Sequence, residues 1–165
     1  MTTTYTTAVT YAGLIAASEL AVIAGDDQSA VKWRSAADDM KAAAQKHLFN
    51  DERQVFYKGL RVKDGVVTKD STIDVSAIFG VFMYGLFDVD SPELKASIQT
   101  MRERFNLRHD EPGLPRYEDD DYRRSDASIT GNWWYITTLW HAQYQLDNDN
   151  EKEAVAILDW VLRHA

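Results

Sequence analysis

An all-α fold of helical hairpins in two layers is predicted by three features of this 165-residue sequence. Helical periodicity dominates, six candidate helices alternate between two kinds, and the links joining them alternate between short and long. Candidate helices one, three and five carry two formal charges between them, whereas two, four and six carry sixteen. A helix that is apolar all round needs cover on every side, and an amphipathic one needs it on one side only. Three hairpins with uncharged helices inside and charged helices outside satisfy both demands.

The first helix is expected over about Thr6 to Ala24, with Glu19 as its one charge and Gly25 as its stop. The second, about Gln28 to Leu48, places Trp33, Ala37, Met40, Ala44 and Leu48 on one stripe. The third, Ile73 to Phe87, contains a single charge, Asp74. Ser91-Pro92-Glu93 opens the fourth with a cap, a proline at the first helical position and an acid near the positive dipole end. That helix runs to Phe105 with Leu94, Ile98, Met101 and Phe105 on one face. The fifth, Asn132 to Leu146, has no formal charge, and the sixth, about Asn150 to His164, turns Ala154, Ile157, Leu158, Val161 and Leu162 inward.

Inner helices pass to outer ones through short links, about Gly25 to Asp27, Asp88 to Asp90 and Asp147 to Asp149. The return links are long, Phe49 to Thr72 and Asn106 to Gly131. The first of these contains VFYKGLRVKDGVV, read as a small β-hairpin turning at Lys63-Asp64-Gly65. Loops beyond about 12 to 15 residues in a compact domain are usually functional or disordered. Both emerge at the N-terminal ends of inner helices, so they share one face, and that face is the candidate site.

Composition narrows the function classes. A net charge of -8 offers no basic surface, which argues against nucleic acid and anionic membrane as partners. The absence of cysteine excludes disulfides and thiolate zinc sites. MTTTYTTAVT has no basic region ahead of its apolar run, and Ser18 and Glu19 interrupt that run before membrane-spanning length. The expectation is therefore neither signal peptide nor anchor, and a cytoplasmic location. Asp147 to Glu151 hints at a calcium loop, but its sixth position is Lys152 and its twelfth Leu158, so a helix boundary is the reading. His141 reads as a core or rim histidine, and His47, His109 and His164 lack metal spacing. No phosphate loop or serine nucleophile motif is present, and neither cofactor nor metal is expected.

The stretch from Arg116 to Gln143 passes from four consecutive acids among arginines and tyrosines into an aromatic run without formal charge. Such a cluster is ordinarily solvated and self-neutralising. Trp133 and Trp134, neighbours on a helix, would point about 100° apart, so one packs and the other faces the loop or a cleft. An aromatic face beside a guanidinium and carboxylates suits a polyhydroxylated ligand.

Arg116-Tyr117-Glu118-Asp119-Asp120-Asp121-Tyr122, followed by Gly131-Asn132-Trp133-Trp134-Tyr135-Ile136-Thr137-Thr138-Leu139-Trp140, resembles the glucoamylase-type enzymes of glycoside hydrolase family 15. The usual form there is close to RYEDDYY and GNPWFITTLW. Thr6-Thr7-Ala8 with Tyr11-Ala12-Gly13-Leu14, the FYKGL segment and the closing ILDWVLRHA are similar to the same family in the same order. The resemblance implies an (α/α) toroid of six hairpins, of which residues 1–165 cover about three as a single domain fragment. It implies a pocket at the N-terminal ends of the inner helices, with Arg116 hydrogen-bonding the sugar, Asp120 beside it and Trp134 lining it. Trp133 stands where the family usually has proline, and Arg123 to Ile129 read as an insertion.

Members of that family invert the anomeric centre, which takes one carboxyl as acid and a second as base. By the resemblance the acid lies before the segment matching Met1 to Tyr5 and the base beyond the one matching residues 157–165, so no catalytic residue is assigned here. Glu118 to Asp121 are sequence neighbours in a solvated run and do not substitute. The implied partner is an α-glucan or glucose oligosaccharide bound through terminal α-linked glucose. The alternative is a non-catalytic carbohydrate-binding or regulatory module, since phosphorylase kinase regulatory subunits contain domains that resemble this family. An open half-toroid would expose apolar inner helices at both ends and favour self-association.

Overall fold

The computed structural model describes residues 2–165. The six helices are α1 (Thr4–Ala24), α2 (Asp27–His47), α3 (Val75–Met83), α4 (Pro92–Arg104), α5 (Tyr135–Asp147) and α6 (Glu151–His164). They form three hairpins, α1 with α2, α3 with α4 and α5 with α6, and α3 also packs against both α1 and α5. The inner helices thus stand in a row, α1, α3, α5, each backed by its charged partner.

Local chemistry sets the helix ends. Ser91 and Asp26 accept the N–H groups of Leu94 and Ser29, and Asp74 accepts that of Ala77. Gly25 ends α1 in a left-handed conformation, φ 74°, as its position in the sequence predicts. The Asp147 to Glu151 acids form the α5–α6 turn.

The long first link holds four short strands, β2 (Phe49–Asn50), β3 (Val55–Phe56), β4 (Gly59–Lys63) and β5 (Val66–Asp70). The expected hairpin is β4 with β5, antiparallel and turned by Asp64-Gly65, both at positive φ. The sequence reading missed two pairings: β2 with β3, and a strand β1 (Thr2–Thr3) that adds to the edge of β4. Two-residue strands carry no periodicity to read.

The expectation that all three uncharged helices are covered on every side holds only for α3, where seven of nine residues are buried. Helices α1 and α5 end the row and have an inner neighbour on one side alone. Leu20, Val22 and Ile23 of α1 are exposed, as are Ile136, Leu139 and Leu146 of α5. The α2 and α4 stripes agree with the expected ones. In α6, Ala154, Ile157 and Val161 are buried as expected, but Leu158 and Leu162 are exposed and Trp160 is buried instead.

Two helices differ from their expected bounds. Helix α3 is shorter than the expected Ile73 to Phe87 at both ends. Helix α5 begins at Tyr135 rather than Asn132, because Trp134 is extended (φ -123°, ψ 134°) and its N–H donates to the Leu114 carbonyl at 2.9 Å. Neither Trp133 nor Trp134 is therefore helical. Helix α1 is 21 residues long, and an 18-residue window of it has a mean hydropathy of 1.6, enough by length and composition alone to cross a membrane. Ser18 does not interrupt it, because the hydroxyl donates to the Ala30 carbonyl of α2 at 2.9 Å and is buried there.

The contact between α1 and α3 depends on one missing side chain. A Cβ at Gly80 would lie 2.7 Å from Cδ2 of Tyr5, so the ring rests on bare backbone. Helix propensity alone favours alanine over glycine by about 1 kcal/mol, but overpacking costs about 1–3 kcal/mol. Gly80→Ala is expected to lower stability by chemical denaturation, whereas Gly13→Ala, with open space around it, is expected to raise it by about 0.5–1 kcal/mol. Equal effects from the two would contradict this packing.

Candidate sugar-binding site

The two long links meet at the N-terminal ends of the inner helices. The Asp74 and Tyr117 backbones form an antiparallel bridge, in which Val75 N–H donates to Arg116 O at 2.9 Å and Glu118 N–H to Ile73 O at 2.8 Å. This fixes where the side chains of residues 116–120 go. Glu118 and Asp120 turn inward, with only 11% and 1% of their side chains exposed. Asp119, at φ 58°, turns out to solvent.

The acidic run is thus not the solvated cluster that its composition suggests. Glu118 accepts from Arg104 Nε at 2.5 Å, from Arg53 Nη2 at 3.2 Å and from the Ile73 N–H at 3.3 Å. Burial pushes its carboxyl up, but the Arg104 hydrogen bond, the Ile73 N–H and the Arg53 charge outweigh that and hold it below the usual carboxylate range. Asp120 is held by Arg116 in a bidentate pair, Nε to Oδ2 at 2.7 Å and Nη2 to Oδ1 at 2.8 Å. That hydrogen bond keeps the Asp120 carboxyl low against the opposing effect of burial, and the Tyr122 N–H adds to it.

Arg116 and Trp134, separated by eighteen positions in the sequence, come together. The guanidinium carbon lies 4.5 Å from the Trp134 ring centre, 5.0 Å from that of Tyr122 and 5.4 Å from that of Tyr117. Asp120 on its edge and three rings around it leave Arg116 a single orientation, with about a third of its side chain still exposed. The Trp134 indole N–H is buried without an acceptor.

Beside this cluster is a hollow of about 270 Å³ lined by Arg116, Tyr117, Lys58, Asp74, Thr137 and Trp140, among others. The sequence reading did not single out Lys58, Asp74, Tyr117 or Trp140 as site residues. Lys58 Nζ sits 3.4 Å from Asp74 Oδ2 and 4.0 Å from the Tyr117 ring centre. Lys58 lies within the FYKGL block, and Asp74 is the single charge before an apolar helix; those were the signals available. Trp140, half-buried, stacks on Tyr5 at 6.2 Å and packs against the core.

A fixed guanidinium, ionised carboxyls and ring faces bind hydroxyls and apolar C–H surface. A general acid needs a raised pKa, and the carboxyls of Glu118 and Asp120 are instead lowered.

Helical hairpins whose loops build a polar and aromatic site at the N-terminal ends of the inner helices define a glycoside hydrolase domain of the glucoamylase-like α/α toroid class. The profile of the mannosylglycerate hydrolase MGH1-like glycoside hydrolase domain matches residues 1–143, and the chain belongs to that family. A glycosyl hydrolase of uncharacterized activity from Methanocaldococcus jannaschii is 26% identical over 140 residues, which is 85% of this chain and 20% of the relative. A bacterial glucoamylase complexed with acarbose superposes with a TM-score of 0.75 at 17% identity, over 94% of this chain and 27% of that one. A glycosidase variant with glutamate replaced by alanine, in complex with glucose, gives 0.72 at 16%, over 96% and 38%. The chain therefore spans about a fifth of the length of the curated relative and roughly a quarter to two fifths of the solved ones.

His141 lies behind the site on α5, fully buried, and reads as the core histidine expected. Its Nε2 meets the Gln145 amide at 2.9 Å, while Nδ1 has no partner. Burial, with the Arg102 charge, lowers its pKa from 6.5 to about 4. The folded state resists protonation that the unfolded chain accepts, so stability is full above about pH 6.5 and falls as pH drops toward 4. The loss is expected to reach about 3 kcal/mol, and His141→Gln should flatten the slope in that window when unfolding is measured against pH.

Proposed function

We propose that this chain forms the sugar-holding part of a glycoside hydrolase acting on terminal α-linked glucose of glucans or oligosaccharides. Arg116 hydrogen-bonds the glucose hydroxyls, Asp120 fixes Arg116 and shares that pocket, and Trp134 covers the apolar face of the ring. The acid and base carboxyls of an inverting reaction lie outside these residues in this reading. The observation that supports it is the Arg116–Asp120–Trp134 cluster at the mouth of the inner helices, in which each group is oriented before any ligand arrives. The acarbose and glucose carried by solved proteins of like fold support the ligand class.

The lowered carboxyls favour a second reading, a binding or regulatory module without turnover. Glucose release from maltose, trehalose or isomaltose by this chain would refute it.

Calorimetric titration with maltotriose or acarbose tests the site. Arg116→Ala and Trp134→Ala are each expected to weaken binding about tenfold or more, the loss typical of a charged hydrogen bond or a ring face. Wild-type affinity in both variants would remove the site. The exposed apolar faces of α1 and α5 are read as association surfaces, so light scattering on the chain alone should show a species larger than a monomer; a monodisperse monomer contradicts this.

A further inference from the structure

We propose a second carbohydrate-binding hollow, which takes one neutral hexose ring against Trp133 and lies on the other side of the segment carrying Arg116. A cavity of about 310 Å³ opens there, lined by Trp133, Arg104, Arg124, Asp119, Glu111 and Ser128, among others. Arg116 and Tyr117 line the first hollow, whereas Pro115 and Asp119 of the same segment line this one. The volume suits a small polar ligand.

Trp133 is held as a platform. A Cβ at Gly113 would lie 2.6 Å from Trp133 Cγ, so the indole rests directly on the glycine backbone. Trp160 meets it edge-on with ring centres 5.4 Å apart at 74°. Despite that seating, 45% of Trp133 is exposed. A rigid aromatic left open to solvent gives ring contact at little entropic cost.

The loop opposite is folded in advance by its own side chains. Asn132 donates from Nδ2 to the Arg123 carbonyl at 2.7 Å and accepts the Ser125 N–H at 3.0 Å. Thr130 Oγ1 accepts the Asp119 N–H at 2.9 Å, and Asp126 accepts the Ser128 N–H at 2.8 Å. The only side-chain hydrogen bond of Arg124 among the described residues is a long one to the Ile129 carbonyl, 3.5 Å, so most of its N–H donors remain for a ligand.

The lining charges select the ligand. Two guanidinium groups face two carboxylates, and Arg104 is already committed to Glu118 at 2.5 Å and Asp119 at 3.7 Å. A balanced rim with donors, acceptors and one ring face favours a neutral polyol over an anion.

The probe is maltotriose, followed by the indole N–H resonances of Trp133 and Trp134 in the whole chain. The Trp133 signal should shift on titration and keep shifting in Arg116→Ala. Arg124→Ala should weaken that response about tenfold. Ala127→Trp, which fills the hollow from an exposed loop position, should abolish it while the Trp134 response persists. No Trp133 shift, a shift that vanishes with Arg116→Ala, or one produced by sulfate and not by maltotriose would each overturn the proposal. Loss of the Trp134 response alone would instead strike the first site.

Discussion

The structure depends on one part-buried carboxylate that joins three parts of the chain. Glu118 binds Arg53 from the first long link, Arg104 from the end of α4 and the Ile73 N–H just before α3. Burying a charge is costly unless it is paired and hydrogen-bonded, and pairing often does no more than recover that cost. The value of Glu118 is therefore positional. It holds residues 116–120 in register against the start of α3, and that register sends Arg116 and Asp120 to one side and Asp119 to the other. The same residue that looks redundant among four acids thus decides which of them reach the site.

The helical row imposes a second constraint. Only α3 has inner neighbours on both sides, and it alone is buried as an apolar helix should be. Its approach to α1 relies on the absence of a side chain at Gly80, against which Tyr5 lies. Tyr5 then meets Tyr84 by a hydroxyl contact at 3.1 Å and stacks on Trp140. One aromatic residue on α1 therefore touches the C-terminal end of α3 and the middle of α5. Packing within the row and the shape of the site mouth are consequently set by the same few rings.

How much of this the sequence discloses follows from the range of each interaction. The six helices and their inner and outer roles were legible because periodicity and charge count are local properties summed over many residues. The β4–β5 turn was legible in Asp64-Gly65 for the same reason. The start of α5 was not: Tyr135 to Leu146 reads as helix, but the extended conformation of Trp134 is imposed by a backbone bond to Leu114, twenty positions away. The fate of the acids was hidden likewise, since no local rule distinguishes Glu118 and Asp120 from Asp119 and Asp121. Arg116, Asp120 and Trp134 were reached through resemblance, and the structure brings these three together. Lys58 and Asp74 were missed because their relevance arises only where the two long links meet.

The chemistry of the site follows from the order in which charges are satisfied. Asp120 is almost fully buried and spends both oxygens on Arg116, so it is spoken for before a ligand enters. Arg116 is not: its Nε and Nη2 face Asp120 while the remaining donors lie among ring faces and the adjoining hollow. A guanidinium oriented this way can grip hydroxyl oxygens without reorganising, which is what preorganised binding requires. An ionised carboxyl locked to that guanidinium cannot also release a proton to a leaving group at neutral pH. Fixing a guanidinium and donating a proton thus make opposite demands on Asp120, and its geometry meets the first.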